Sequence, residues 1–244
     1  MRYGIFSDIH SNLEAFDSVI EAYRKESIDS FFCVGDVVGY GANPNECIEK
    51  IKALTNIVIA GNHDWACVDL FSTEYFNPLA KEAVFWTKQV LNQENKYFLE
   101  KLKRVYNNED FTLAHGTLEN PQEFNYMTDG YRALESFKLL ETNVCFVGHS
   151  HVAGAFILGK DNRLLYSEDN LSKIKIEKEN KYIVNVGSVG QPRDDNPRAA
   201  FAVYDTQKQE VQIKRVPYDV EAARKKIIEA GLPQFLGDRL LLGR

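Results

Sequence analysis

Within its first 64 residues the chain passes three times from a short apolar run into a turn built from Gly, Asp, Asn, Ser or His. Residues 2–6 (R-Y-G-I-F) precede Leu13, Phe16, Val19, Ile20 and Tyr23 at helical spacing, which reads as a strand and then a helix. Residues 30–35 (S-F-F-C-V-G) read as a second buried strand, 43–53 as a second helix and 56–60 (N-I-V-I-A) as a third strand. Three such units in succession leave few folds open. Parallel strands need a crossover, the crossover is right-handed, and the helices must then cover the sheet.

Residues 78–103 look helical in two pieces with a break at Asn92, residues 110–114 return to strand, a helix follows near 130–140, and 143–147 (N-V-C-F-V) form another buried strand. From about residue 153 the runs shorten and Gly, Asn, Asp or Pro separates most of them, as in hairpins of an antiparallel sheet. A helix at 219–230 is stopped by Gly231 and Pro233. The expected architecture is one α/β domain over residues 1–244 with two sheets. Within it, 65–109 is a candidate helical insertion shaping substrate access, although its aromatic residues suit a core equally well.

Lys plus Arg number 29 and Asp plus Glu 35, a net charge of −6, with no basic segment. Stable nucleic-acid binding is therefore not expected, because it depends on neutralising phosphates with cationic side chains. Cys33, Cys47, Cys67 and Cys145 form no C-x-x-C pair and read as small core residues. The chain shows neither the apolar stretch of a signal peptide nor a membrane span, so a cytoplasmic location is expected.

Chemistry is concentrated where the apolar runs end. The first ends in S-D-I-H, the second in G-D-V-V-G-Y-G, the third in G-N-H-D, and later runs in A-H-G-T and G-H-S-H. These ends hold all five histidines, His10, His63, His115, His149 and His151, beside Asp8, Asp36, Asn62 and Asp64. Ligands of open α/β sheets bind beyond the carboxyl ends of the strands. A structural role for every one of these histidines would need as many separate coincidences. The pairs Asp8/His10 and His149/His151 are two residues apart, and on extended chain such residues point the same way.

Imidazole, carboxylate and amide oxygen without thiolate suit Mn, Fe, Zn or Ni. Asp8, His10, Asp36, Asn62, His115, His149 and His151 are too many ligands for one four-coordinate ion and suit two divalent ions that share a carboxylate. Such a pair would also supply the positive charge that an acidic chain lacks for an anionic substrate.

The ordered set D-x-H, G-D-x-x-G, G-N-H-D, a later H and G-H-x-H resembles the calcineurin-like metallophosphoesterases, in particular their small prokaryotic phosphodiesterases and phosphatases, from about residue 3 to about residue 205. The resemblance implies a four-layer α-β-β-α sandwich with two mixed β-sheets. It assigns Asp8, His10 and His151 to a first metal, Asp36 to a bridge, and Asn62, His115 and His149 to a second. It makes His63 the general acid and manganese the expected ion. The implied activity is hydrolysis of a small or nucleotide-like phosphate ester by a hydroxide bridging two metal ions. A dinucleoside tetraphosphate hydrolase and a non-catalytic binding protein of the same fold are the alternatives.

Asp64 is expected to cap a helix. Asn12, Tyr40 and Arg193 are candidate substrate contacts, against the readings of a helix cap, a packed ring and a solvated turn. Arg193 lies in N-V-G-S-V-G-Q-P-R-D, a segment similar to the one that follows the metal motifs in the small prokaryotic phosphodiesterases. The family's serine/threonine protein phosphatases carry Asp and Arg where this chain has Gly39 and Tyr40, so that activity is disfavoured.

Overall fold

The computed structural model describes residues 1–168 and 171–244. Its strands are β1 (Arg2–Phe6), β2 (Ser30–Cys33), β3 (Val105–Asn107), β4 (Thr112–Ala114), β5 (Val144–Val147), β6 (Gly154–Leu158), β7 (Leu164–Ser167), β8 (Ile174–Lys175), β9 (Lys181–Asn185), β10 (Ala199–Asp205) and β11 (Glu210–Val216). Its helices are α1 (Leu13–Tyr23), α2 (Pro44–Leu54), α3 (Asn62–Ala66), α4 (Pro78–Val90), α5 (Gln93–Glu100), α6 (Gly130–Leu139), α7 (Val220–Glu229) and α8 (Gln234–Asp238). Among the described residues, no helix is long and apolar enough to cross a membrane.

The strands form two mixed sheets, ordered β2-β1-β10-β11-β8 and β3-β4-β5-β9-β6-β7. Side-chain alternation makes them the inner layers of an α-β-β-α sandwich. Tyr3 and Ile5 of β1, Ala202 and Tyr204 of β10, Val144 and Phe146 of β5, and Tyr182 and Val184 of β9 share one buried cluster between the sheets. The intervening Phe6, Phe201 and Val203 pack instead with Phe16 and Val19 of α1 and Ile48 and Ile51 of α2. On the opposite outer face, Cys145, Val147 and Ile183 meet Ala133 and Phe137 of α6. Helix starts follow local capping chemistry: Asn12, Asn77 and Asn92 each accept a hydrogen bond from the backbone N–H three residues on. Asn92 is thus the expected break between α4 and α5. All four cysteines are buried and unbonded to one another.

Two expectations are corrected. Residues 56–60 do not form a strand of their own: Val58 and Ile59 make only isolated parallel bridges, to Cys33 and Lys103. Since β2 ends at Cys33, no ladder remains for them to extend. The hairpins after residue 153 do not make one antiparallel sheet either. β6, β7 and β9 join the second sheet, with β9 parallel to β5, while β10 and β11 join the first, with β10 antiparallel to β1. The A-A-F-A-V-Y-D run of β10 is buried throughout, as a central strand must be.

The segment 65–109 divides between its two readings. Val84 and Leu99, from α4 and α5, belong to the first core, whereas Phe71, Tyr75 and Phe76 line a cleft described below.

Candidate metal centre

The loops leaving β1, β2, β4 and β5 converge, together with the first turn of α3. Asp8, His10, Asp36 and His151 bring one side-chain ligand atom each within 4.8 Å of one another, and Asp36, His115 and His149 do the same. All are buried, and Asp36 is common to both groups. His10 Nε2 lies 3.0 Å from His151 Nε2 and 3.6 Å from Asp36 Oδ2, while His115 Nε2 lies 3.3 Å from Asp36 Oδ2.

Each carboxylate is held at one oxygen by a backbone N–H and turns the other toward the imidazoles. Asp8 Oδ2 accepts from the backbone N–H of His149, and Asp36 Oδ1 from that of His63. Asp8 Oδ1, Asp36 Oδ2, Asn62 Oδ1 and His115 Nε2 are buried with no hydrogen-bond partner among the described residues. Buried polar atoms left this way are costly, and several of them converging on one point suit a cation. The imidazoles are oriented from behind: His10 Nδ1 contacts Val38 O at 3.0 Å, His115 Nδ1 contacts Val34 O at 2.7 Å, and His151 Nδ1 contacts Gln191 O at 2.6 Å. Carbonyl partners on the rear nitrogen direct the other nitrogen forward, the usual support of a metal-ligating histidine.

The backbone corrects one expectation. Asp8, His10, Asp36, His149 and His151 all have φ between 49° and 67°, so the paired residues converge through left-handed kinks and not along extended chain. Non-glycine residues in this region cost free energy and cluster at functional sites. Two glycines allow the loops to close. A Cβ on Gly148 would lie 2.1 Å from Ser7 Oγ and 2.4 Å from Asp8 Oδ2, and one on Gly190 would lie 1.8 Å from Ile9 O. The segment around Gly190 braces the first loop, with Gly190 N–H and Ser188 O–H both donating to Asp8 O at 2.8 and 2.9 Å.

Electrostatics prepare the centre for a cation. Burial alone would raise Asp8 and Asp36, but the imidazoles packed around them, with His115 foremost for Asp36, hold both below the usual carboxylate range. Burial pushes His149 well down, and burial with Arg193 pushes His151 down to about 3, which keeps both neutral and able to ligate. For His115 burial acts downward, yet Asp36 outweighs it and raises the imidazole to about 9.

Below pH 9 an incoming ion must therefore displace a proton from His115, because only the neutral imidazole ligates. Metal affinity should rise about tenfold per pH unit between pH 6 and 8, with release of one proton. Calorimetric titrations in buffers of different ionisation enthalpy would measure both quantities. An affinity independent of pH contradicts the assignment.

The model of the calcineurin-like phosphoesterase superfamily domain matches residues 1–209. The chain belongs to the calcineurin-like phosphoesterase superfamily. This member of the superfamily is 38% identical to an uncharacterised protein of Methanocaldococcus jannaschii, over 98% of this chain and 97% of that one. The crystal structure of a metallophosphoesterase from Sphaerobacter thermophilus superposes with a TM-score of 0.87 at 36% identity, over 100% of this chain and 99% of that one. A hypothetical protein from Pyrococcus horikoshii shares the fold, with a TM-score of 0.78 at 19% identity over 100% and 98% of the two chains.

Around the centre of this phosphoesterase, the flanking residues separate. Asn12 makes the capping bond: Oδ1 accepts from Ala15 N–H, and Nδ2 donates to Gly190 O at 2.8 Å and Tyr218 Oη at 3.3 Å. Both ends of its amide are engaged by the scaffold. Asp64 caps as expected, accepting from Gly61 and Val38 N–H at 3.0 and 3.1 Å. Tyr40 is buried with its ring centroid 4.5 Å from that of His63 and 4.7 Å from that of His10, and the Arg193 guanidinium lies 5.6 Å above it. Arg193 donates to Gln191 Oε1 at 2.9 Å and keeps a buried Nε without a partner among the described residues. His63 Nδ1 is likewise unpartnered, and a Cβ on Gly39 would lie 2.6 Å from it. Gly39 therefore places no side-chain partner beside this nitrogen.

Two neighbours of the centre escape a reading of the sequence. Phe124 sets its ring edge-on to His115 at 5.9 Å, and Tyr126 stacks on His149 at 3.9 Å and 15°. Their only local signal is an aromatic pair in F-N-Y, after the A-H-G-T turn.

Proposed function

We propose that this phosphoesterase is a dinuclear metal-dependent hydrolase of small or nucleotide-like phosphate esters. The observation that carries the reading is the pair of buried ligand clusters sharing Asp36, lined by atoms that lack other partners. Asp8, His10, Asp36 and His151 would hold one ion, and Asp36, Asn62, His115 and His149 the other. The oxygen and imidazole donors suit manganese. Two such ions supply an activated water and neutralise charge during in-line displacement at phosphorus.

The remaining work falls to side chains. Arg193, with an unpartnered Nε, offers a planar donor fork to the phosphoryl oxygens. His63 would give its proton to the leaving oxygen. Burial pushes its imidazole down to about 3, although Asp36 acts upward; the charge of a bound phosphate ester acts in the same direction as Asp36.

The His63→Ala variant should keep its metal content, since Asp36 is held by the backbone N–H of residue 63 and not by its ring. Its kcat should fall at least about 10²-fold on esters of poorly acidic alcohols and far less on p-nitrophenyl esters, whose leaving group needs no proton. An equal loss on both would remove the acid role. For the reaction itself, manganese-reconstituted protein should hydrolyse aryl phosphodiesters or monoesters. Turnover of dinucleoside polyphosphates alone would favour the anhydride alternative, and no metal-stimulated turnover of any of them would contradict the proposal.

A further inference from the structure

Beside the metal centre opens a cleft of about 480 Å³, and its walls are aromatic. Asn62, His63 and His149 line it together with Phe71, Tyr75, Phe76, Phe124 and Tyr126. The volume lies within the range of small-molecule sites. Tyr75 is 91% exposed and Tyr126 is 47% exposed, so both rings are open to a molecule entering the cleft.

Tyr126 is the more informative of the two. Its ring lies nearly parallel to His149, so one face is occupied by an imidazole and the half-exposed ring is free to extend the stack. Phe124, buried against Trp65 and Phe71 at ring distances of 5.6 and 5.1 Å, anchors the loop that carries it. A flat ring entering the cleft would therefore meet a stacking surface already in position. Stacking of this kind tolerates any π-face. The cleft also fixes which end of a substrate it takes. His63 lines it, so a group lying there is attached to the oxygen that His63 would protonate.

We propose that this cleft is the leaving-group subsite and selects esters whose departing alcohol carries a planar aromatic ring, with Tyr126 as the stacking residue. The inference rests on the phosphoesterase reading above. In the reaction water adds to phosphorus, the bond from phosphorus to the ring-bearing oxygen breaks, and the aromatic alcohol departs with a proton, leaving the other ester group on phosphate.

The test compares three mixed methyl diesters with the manganese-loaded enzyme. Benzyl methyl phosphate and cyclohexylmethyl methyl phosphate have leaving alcohols of similar bulk and acidity but differ in aromaticity, and the methyl ester of adenosine 5′-phosphate presents a nucleobase. The benzyl or the adenosine ester should exceed the cyclohexylmethyl ester by about tenfold in kcat/KM, releasing the aromatic alcohol and methyl phosphate. A gain for adenosine alone assigns the subsite to nucleobases, and a gain for benzyl alone to smaller aryl groups. Tyr126→Ala should shrink the aromatic preference about tenfold, mainly through KM, and Tyr126→Phe should restore it. Equal rates on all three esters, or release of methanol in place of the aromatic alcohol, overturn the subsite while leaving the phosphoesterase reading intact. Failure to hydrolyse these three diesters overturns the subsite, and failure on aryl diesters, aryl monoesters and dinucleoside polyphosphates as well overturns both.

Discussion

Replacing Asp36 by Asn is expected to strip the centre of bound metal and to lower kcat/KM by about 10³-fold or more, the scale of losing charge stabilisation at phosphorus. The substitution keeps shape and removes charge, and the local hydrogen bonding dictates which way the new amide faces. His63 N–H donates to Asp36 Oδ1 at 2.9 Å. An asparagine must turn its carbonyl toward that donor, which directs its NH2 to the position of Oδ2, 3.3 Å from His115 Nε2 and 3.6 Å from His10 Nε2. A donor then stands where both ligand groups need a shared acceptor. Substituting any other ligand removes a donor from one group, whereas this substitution damages both. Elemental analysis after dialysis, with kinetics on the same sample, checks the result. Retention of two ions, or wild-type kcat/KM, would contradict it.

Removing metal from the unaltered protein should lower its melting temperature substantially. Asp8, Asp36, His10, His115, His149 and His151 are buried together, and without metal the Asp8 and Asp36 carboxylates stay buried beside an imidazolium at His115. An ion at a thousandfold excess over its Kd stabilises the native state by about 4 kcal/mol. In a chain of this size each kcal/mol corresponds to roughly 2–4 °C. Chelation of a pair should therefore lower Tm by roughly 15–30 °C, reversibly on adding back manganese. Calorimetric scans with and without chelator measure the shift, and Asp36→Asn should lose most of it. A Tm that ignores chelator would mean that the centre binds no ion tightly.

Much of this site is legible in the sequence because its residues follow apolar runs, and the ends of those runs are set by local pattern. Asp8, Asp36, His115 and His149 can be placed from strand periodicity and Gly-rich turns alone. What the pattern does not carry is the shape of the turns. Five of the ligand candidates are left-handed, and the close approach of Gly190 to Ile9 O depends on contact between segments about 180 positions apart. The same limit explains residues 56–60, whose β-branched run is a strand by composition but faces a neighbour that stops at Cys33. Asn12 is ambiguous for another reason: an asparagine between strand and helix looks alike whether it caps or binds. Its bonds to Gly190 and Tyr218 come from segments far along the chain, which no local pattern shows. Tyr126 is invisible in advance because its partner, His149, is brought to it by the fold.

The central claim is that two ions sit close enough to share Asp36. The most direct measurement is frozen-solution electron paramagnetic resonance of metal-free protein titrated with Mn²⁺. The account predicts saturation at two equivalents per chain and the spectrum of an exchange-coupled pair. Saturation at one equivalent, or the spectrum of magnetically independent ions at two, would contradict it.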